Sequence, residues 1–352
     1  MLDCTDLTVA AGFWNSHMHF FQRKWENAAE IPADQLTRQL EEMLTRHGFT
    51  SVFDTGSMWD NTRRLRDRIE SGEVAGPRIR STGEALVARG ATPSEKALRA
   101  MGFMAFSALE VTDDAQAAAA SQQLLAKGVD GIKVHLQPPP QPQPLFPESA
   151  ILVAVQEAHR SGNPVFVHPD TGADILAAAR SGVDIIAHTT PGSGPWDEGI
   201  LTAMQEHGVA LTPTLRIWSR FGRPGNPSQD QLIETAVGQL RAWVEREGTV
   251  LFGTDLGAID EPPGAEYALM EQSGMSFRQI LASLTTAPAE RFRESSRLGR
   301  IAPGFRTDLV VLKGDPSRDL RSLASVRYTL RDGRIIYADT ARQSLHSPKR
   351  RP

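Results

Sequence analysis

The sequence predicts an α/β protein, a closed (β/α)8 TIM barrel followed by a small C-terminal β appendage. Short β-rich runs alternate with helical stretches along most of the chain, which implies βαβ units and a parallel sheet. Eight such runs can be read: Gly12–His17, Thr50–Asp54, Arg78–Thr82, Asp130–His135, Pro164–His168, Asp184–His188, Ala210–Thr214 and Val250–Asp255. Eight strands suit a closed barrel better than an open doubly wound sheet. Beyond about residue 298 the alternation stops and short strands take over.

The helical stretches justify themselves in turn. Asp34–Arg46 carries Leu36, Leu40, Met43 and Leu44 at helical spacing. Asp113–Lys127 opens on two aspartates, is alanine-rich and meets Gly128 as a stop. Glu148–Arg160, Ala173–Arg180, Glu198–Glu206 and Gln229–Glu247 follow the same pattern. No G-x-G-x-x-G follows the first strand, which argues against a dinucleotide-binding fold. The segment Pro138–Pro147 is too proline-rich for helix or strand. It reads as a stiff extended loop at the C-terminal rim of the barrel, either plain surface or a lid.

At the C-terminal end, Arg306–Leu312, Val326–Leu330 and Arg334–Tyr337 read as strands, with Asp332-Gly333 as a hairpin turn. The expected organisation is a barrel over 1–297, a reduced β-sandwich over 298–345 and a disordered tail over 346–352.

Composition narrows the function. The chain has 352 residues, 38 Lys+Arg and 42 Asp+Glu, a net charge of −4. That balance lacks the basic surplus of a nucleic-acid binder. No apolar run approaches the ~18 residues of a spanning helix. No basic stretch followed by a long apolar one opens the chain, so a cytoplasmic protein without a membrane partner is expected. The single cysteine, Cys4, excludes a disulfide framework and a cysteine-built metal site. Imidazole and carboxylate remain as metal ligands. Whether the protein forms a homo-oligomer is not written in the sequence.

Polar residues cluster at the predicted strand ends. His17 and His19 close the first strand, Lys133 lies on the fourth, His168 ends the fifth, His188 the sixth and Asp255 the eighth. Each alone has an ordinary explanation as a core histidine, a paired lysine or a capping aspartate. In a barrel, however, C-terminal strand ends converge on one mouth. Six ionisable side chains at one mouth predict a metal site. His135, two residues after Lys133, faces the same way and is a candidate for substrate contact. Four other histidines, His47, His159, His207 and His346, lie near helix ends or in the tail.

The chain resembles the metal-dependent amidohydrolase superfamily, in its imidazolonepropionase-like and prolidase-like branch. The matching pieces are AGFWNSHMHF at 11–20, DGIKVH at 130–135, PVFVH at 164–168, DIIAH at 184–188, LFGTD at 251–255, and LTTAPAERF through LGRIAPGFRTDLVVLKGDP at 284–316. The resemblance implies that His17, His19 and Asp255 bind one divalent metal, and that His168 and His188 bind a second. It implies that Lys133 is carboxylated by CO₂ and bridges the two. Zinc is the expected metal, since it accepts this mixture of nitrogen and oxygen donors. Asp255 would be the general base toward water. The implied reaction is hydrolysis of a C–N amide-type bond in a small molecule, peptide-like or N-acyl amino-acid in kind.

Other readings stay open. One is a mononuclear deaminase or imidazolone-type ring hydrolase, which would not need Lys133. Another is a lactonase or phosphotriesterase-like hydrolase. A ligand-free assembly protein is disfavoured because every expected ligand is present. Two features depart from the family. Asn15 stands where an acidic residue is usual, and only 16 residues precede His17 where the family has several dozen. The appendage is therefore expected to be reduced or the start truncated, leaving the C-terminal strands short of partners and prone to association. For the substrate pocket the loops offer Phe20, Trp59, Glu84, Arg89, His135, Arg216 and Trp218. Arg216 is the expected partner of a substrate carboxylate; Trp59 and Trp218 are the expected apolar walls.

Overall fold

A computed structural model of the chain describes residues 2–105, 108–139, 143–220 and 228–339. Its strands are β1 (Leu7–Ala11), β2 (Phe13–Met18), β3 (Phe49–Asp54), β4 (Arg78–Ser81), β5 (Leu86–Ala88), β6 (Leu109–Val111) and β7 (Ile132–His135). They continue with β8 (Val165–His168), β9 (Ile185–Ala187), β10 (Ala210–Thr212), β11 (Leu309–Lys313), β12 (Val326–Arg331) and β13 (Arg334–Ala338).

The parallel strands form a (β/α)8 barrel. β2, β3 and β4 lie side by side, and β7, β8, β9 and β10 make a second arc. β5 pairs with the upper part of β7 and carries β6 on its outer side, so the third barrel strand is broken at 82–85. The Asp130 amide donates to the Ser81 carbonyl at 2.8 Å and joins the two arcs.

The remaining gap is closed by residues 249–256. Sequence predicts Val250–Asp255 as a regular strand; the structure corrects this. The segment forms isolated parallel bridges, Leu211 to Val250 and Met18 to Leu256, instead of a continuous ladder. It bonds alternately to both neighbours: Leu251 N–H to Leu211 at 2.9 Å, then Asp255 N–H to His17 at 2.9 Å. Asp255 has φ +58°, which ends extended geometry there.

Inside the barrel, Trp14, Phe53, Phe166, Ile185, Ala210 and Leu251 form an apolar floor, plugged from below by Phe292. Phe292 stacks 4.9 Å from Phe53 and 5.4 Å from Trp14, ring centre to ring centre. Side chains two residues apart on a strand share a face. On β8 that rule places His168 on the same inward face as Phe166, one step toward the mouth.

The outer helices follow their sequence signals. Asp113 accepts from Gln116 N–H, and Thr171–Asp174 and Ser228–Gln231 form capping boxes. Sequence reading missed the helix Trp59–Glu70, whose buried face is only Trp59, Thr62, Leu65 and Ile69 amid charges. Also missed were β1, β5, β6 and the short helices Glu95–Ala100, Gly264–Gln272, Phe277–Leu284 and Thr286–Arg291.

The antiparallel sheet runs in the order β1-β11-β12-β13. The expectation that the C-terminal strands lack partners is corrected here. Leu7–Ala11 pairs along the whole of β11. At the β12–β13 turn, Asp332 and Gly333 both have positive φ, +49° and +77°, as the two-residue hairpin requires. Val310 and Leu312 are fully buried against the barrel, and Arg78 holds Asp308 at 2.8 Å. The expected tail at 346–352 lies outside the described residues, as do 140–142 within the proline-rich loop. No helix among the described residues is long and apolar enough to cross a membrane.

Candidate metal centre

Five imidazoles line the C-terminal mouth of the barrel in contact with one another. His17 lies 5.2 Å from His19 and 4.5 Å from His188, His188 lies 4.4 Å from His168, and His168 stacks on His135 at 3.9 Å (ring centres). The His135–His168 contact follows from register, since the two are paired across β7 and β8. Asp255 completes the group, with Oδ1 2.9 Å from His19 Nε2 and 3.5 Å from His17 Nε2. Lys133 opens into the same cavity, which encloses about 340 Å³.

Backbone neighbours set the orientation of the rings. His19 Nδ1 lies 3.1 Å from the Gly56 carbonyl, which orients the ring so that Nε2 faces Asp255. The Thr214 hydroxyl donates its one proton to the Pro213 carbonyl. It therefore accepts from His188 Nδ1, 2.5 Å away, and leaves His188 Nε2 bare. Thr214 and His188 both have positive φ, +44° and +78°, a local conformation that alternating periodicity does not reveal. Asn15 ties the first and eighth strands, donating to Thr254 Oγ1 at 2.7 Å and accepting the His17 and Thr254 amides.

Burial governs the protonation states. It pushes His17 down to about 3, with the Lys133 charge adding to the effect, and His135 down to about 3 for the same reasons. His168 and His188 are also held well below the usual histidine value by burial and by their ring neighbours. Burial alone pushes Lys133 down to about 7. For Asp255 burial acts upward, but hydrogen bonds from His17 and His19 outweigh it and keep the carboxyl well below its ordinary range. Near neutral pH His17, His135, His168 and His188 are thus neutral and Asp255 is a carboxylate, the protonation states that metal binding needs.

The donor set also fits a cation through what it lacks. His17 Nδ1 and Lys133 Nζ are buried with no hydrogen-bond partner among the described residues. Ligand atoms of His17, His19 and Asp255 lie within 4.8 Å of one another. Buried donors and acceptors in this condition are costly unless something satisfies them, and a divalent ion does so.

This protonation pattern has a testable consequence. An unfolded chain protonates these histidines near 6.5, whereas His17 and His135 wait until about 3 in the fold. Between those values the unfolded state binds more protons, so stability falls as pH falls, by about 1.4 kcal/mol per pH unit for each such histidine. Denaturant unfolding of the metal-free protein from pH 7.5 to 4.5 is expected to show that decline. A level profile would contradict the buried neutral state.

Close backbone approach is a second constraint. A Cβ on Gly253 would sit 2.4 Å from Thr212 Cγ2 and 2.7 Å from His17 Cβ. Gly253→Ala is expected to push His17 out of place and to cost about 1–3 kcal/mol. Thermal unfolding together with metal titration checks this: both stability and affinity should fall.

The structure separates the sequence-nominated residues into two groups. His17, His19, Lys133, His135, His168, His188 and Asp255 line one cavity, together with Glu84. Trp59, Arg216, Trp218, Phe20 and Arg89 do not. Trp59 is buried in the helix Trp59–Glu70 and donates from its indole to the Lys127 carbonyl at 2.9 Å. Arg216 forms an ion pair with Glu261 and is not among the residues that line the cavity. Trp218 donates from its indole to Thr189 at 2.8 Å, Phe20 is fully buried, and Arg89 is exposed.

Sequence reading missed the apolar lining of Phe21, Phe103 and Ile217. It also missed Asp54, which is buried and accepts from Ser57 at 2.6 Å and Ser81 at 2.7 Å. Glu266 was missed too; it takes the Leu215 and Arg216 amides, and burial pushes it up to about 7. A carboxylate at the end of a predicted strand was the available signal for Asp54. Nothing local marks Glu266.

A parallel barrel with histidines, a lysine and an aspartate gathered at its C-terminal mouth defines a barrel enzyme with a metal-type ligand set. The chain belongs to the amidohydrolase family, which it matches over residues 8–337, and it is a hydrolase acting on C–N bonds. The ochratoxinase of Aspergillus niger is 24% identical, aligned over 88% of this chain and 71% of its own. Among solved structures, a Xaa-Pro dipeptidase with methionine bound in its active site is 25% identical with a TM-score of 0.78, covering 95% of this chain and 87% of that one. A prolidase in complex with N-methylphosphonate-L-proline is 26% identical with a TM-score of 0.70, covering 96% and 89%.

Proposed function

We propose that this protein is a binuclear metal-dependent amidohydrolase that cleaves the amide bond of a peptide-like or N-acyl amino-acid substrate. The observation that carries this reading is the meeting of His17, His19, Lys133, His168, His188 and Asp255 in one cavity. His17, His19 and Asp255 would hold one divalent ion and His168 and His188 the other. A carboxylated Lys133 would bridge them, with zinc as the expected metal. When bound, such a pair lowers the pKa of a shared water and polarises the scissile carbonyl.

The chain's own residues do the rest. With burial pushing it down to about 7, a substantial share of Lys133 is the neutral amine near pH 7 and has a lone pair for CO₂. Its nitrogen forms the N–C bond, one proton leaves to solvent, and the resulting carbamate offers two anionic oxygens. An ammonium in the same place would repel a cation. Asp255 accepts the proton of the attacking water on its carboxylate and returns it to the leaving nitrogen. Phe21, Phe103 and Ile217 exclude water from the apolar side of the cavity. The similarity to a Xaa-Pro dipeptidase and a prolidase supports a peptide-like substrate.

The compactness of the His17, His19 and Asp255 triad favours a second reading, a mononuclear ring hydrolase or deaminase. Metal content decides between the two, measured by plasma mass spectrometry on protein purified without chelator and with bicarbonate. About two ions per chain are expected, together with turnover of dipeptides or N-acyl amino acids. One ion per chain, unchanged in Lys133→Ala, would establish the mononuclear reading instead.

A further inference from the structure

We infer that Glu84 receives the amino end of the substrate, so that the preferred substrates are peptides with a free α-ammonium and not N-acyl amino acids. This rests on the amide-hydrolase reading above and narrows its substrate class. Glu84 lies in the break between β4 and β5 and lines the same cavity as the histidine cluster. Its Oε1 accepts the Trp59 amide at 3.2 Å, which fixes the carboxylate in place. Its Oε2 is buried and has no hydrogen-bond partner among the described residues.

No cation in the described lining serves that oxygen. Apart from the histidines, Lys133 is the one basic side chain among the described residues of the cavity, and its Nζ also lacks a partner. Arg216 is held by Glu261, and Arg89 is exposed and outside the lining. The same lining carries the apolar side chains of Phe21, Val87, Phe103 and Ile217, and its other polar side chains, Thr55, Ser57, Thr92 and Gln137, are neutral. A carboxylate oxygen in such surroundings is costly to leave unpaired. A primary ammonium supplies three donors and the opposite charge in a space that excludes water. A methyl group in that place would bury the same oxygen without a donor, so the site discriminates against the N-acyl isostere.

The test uses the metal-loaded enzyme and a matched pair, L-alanyl-L-phenylalanine and isobutyryl-L-phenylalanine, in which the ammonium is replaced by a methyl of similar size. Wild type is expected to favour the dipeptide at least tenfold in kcat/KM, with the difference in KM. Glu84→Gln, which keeps an oxygen for the Trp59 amide, should erase the preference, lowering kcat/KM for the dipeptide at least tenfold more than for the isobutyryl substrate. An equal loss on both substrates, or no loss on either, overturns the proposal. Hydrolysis of neither substrate counts against the broader function; Glu84 is then judged by calorimetric binding of L-alaninamide against isobutyramide. Tighter binding of L-alaninamide, lost in Glu84→Gln, upholds its role, and indifference refutes it.

Discussion

Asp255→Asn is expected to lower hydrolysis between about 10²- and 10⁴-fold, the range that a positioned acid–base group contributes. Asp255 is buried, its Oδ1 stands 2.9 Å from His19 Nε2, and its hydrogen bonds from His17 and His19 keep it ionised. The amide is nearly isosteric, so packing on the eighth segment survives. What disappears is the basic oxygen that takes and returns a proton, and one negative charge among the metal ligands. Circular dichroism and metal content, measured beside kcat, separate these losses: a folded, metal-loaded variant that is still impaired identifies the proton role. Activity within threefold of wild type would remove Asp255 from the mechanism.

The second large effect is a split between stability and function at Lys133. Its Nζ is buried without a partner among the described residues, and burial pushes the group down to about 7 against 10.5 in an unfolded chain. Lys133→Met removes the polar head and keeps the stem. The metal-free variant is expected to be more stable than wild type by roughly 2–4 kcal/mol at pH 7. The sign follows from proton counting. Below about 7 both states of wild type hold the proton and the full penalty applies; between about 7 and 10.5 the folded state has already released it and the penalty fades. The stabilisation should therefore shrink as pH rises toward 10.5. The same variant should lose metal and hydrolytic activity by at least about 10²-fold. Thermal unfolding with and without metal reads both effects. A metal-free variant less stable than wild type would show that Lys133 has a structural partner.

Much of the site was legible because barrel topology turns a one-dimensional mark into a three-dimensional one. A histidine at a strand's C-terminal end must reach the mouth, whichever helix follows it. His17, His168 and His188 needed no knowledge of their neighbours to be nominated. The eighth segment was legible by motif but not by conformation. Its hydrogen bonds alternate between β10 and β2, and Gly253 lets it pass where a Cβ would lie 2.4 Å from Thr212 Cγ2. β1 was illegible for a different reason. LTVAA has one buried residue, Ala11, and becomes a strand only because β11 offers it an edge about 300 residues later.

By itself the sequence determined the alternation of strands and helices, the hairpin at Asp332-Gly333, and the ligand-type residues at the strand ends. These rest on local periodicity and on residues whose chemistry is unusual in a core. The tertiary structure alone decided which loop side chains face the cavity. Arg216 is drawn away by Glu261, Trp59 and Trp218 spend their indole N–H groups on Lys127 and Thr189, and Glu84 turns inward with one oxygen unserved. A loop side chain points toward whichever partner the rest of the fold supplies, and no period along the chain encodes that partner.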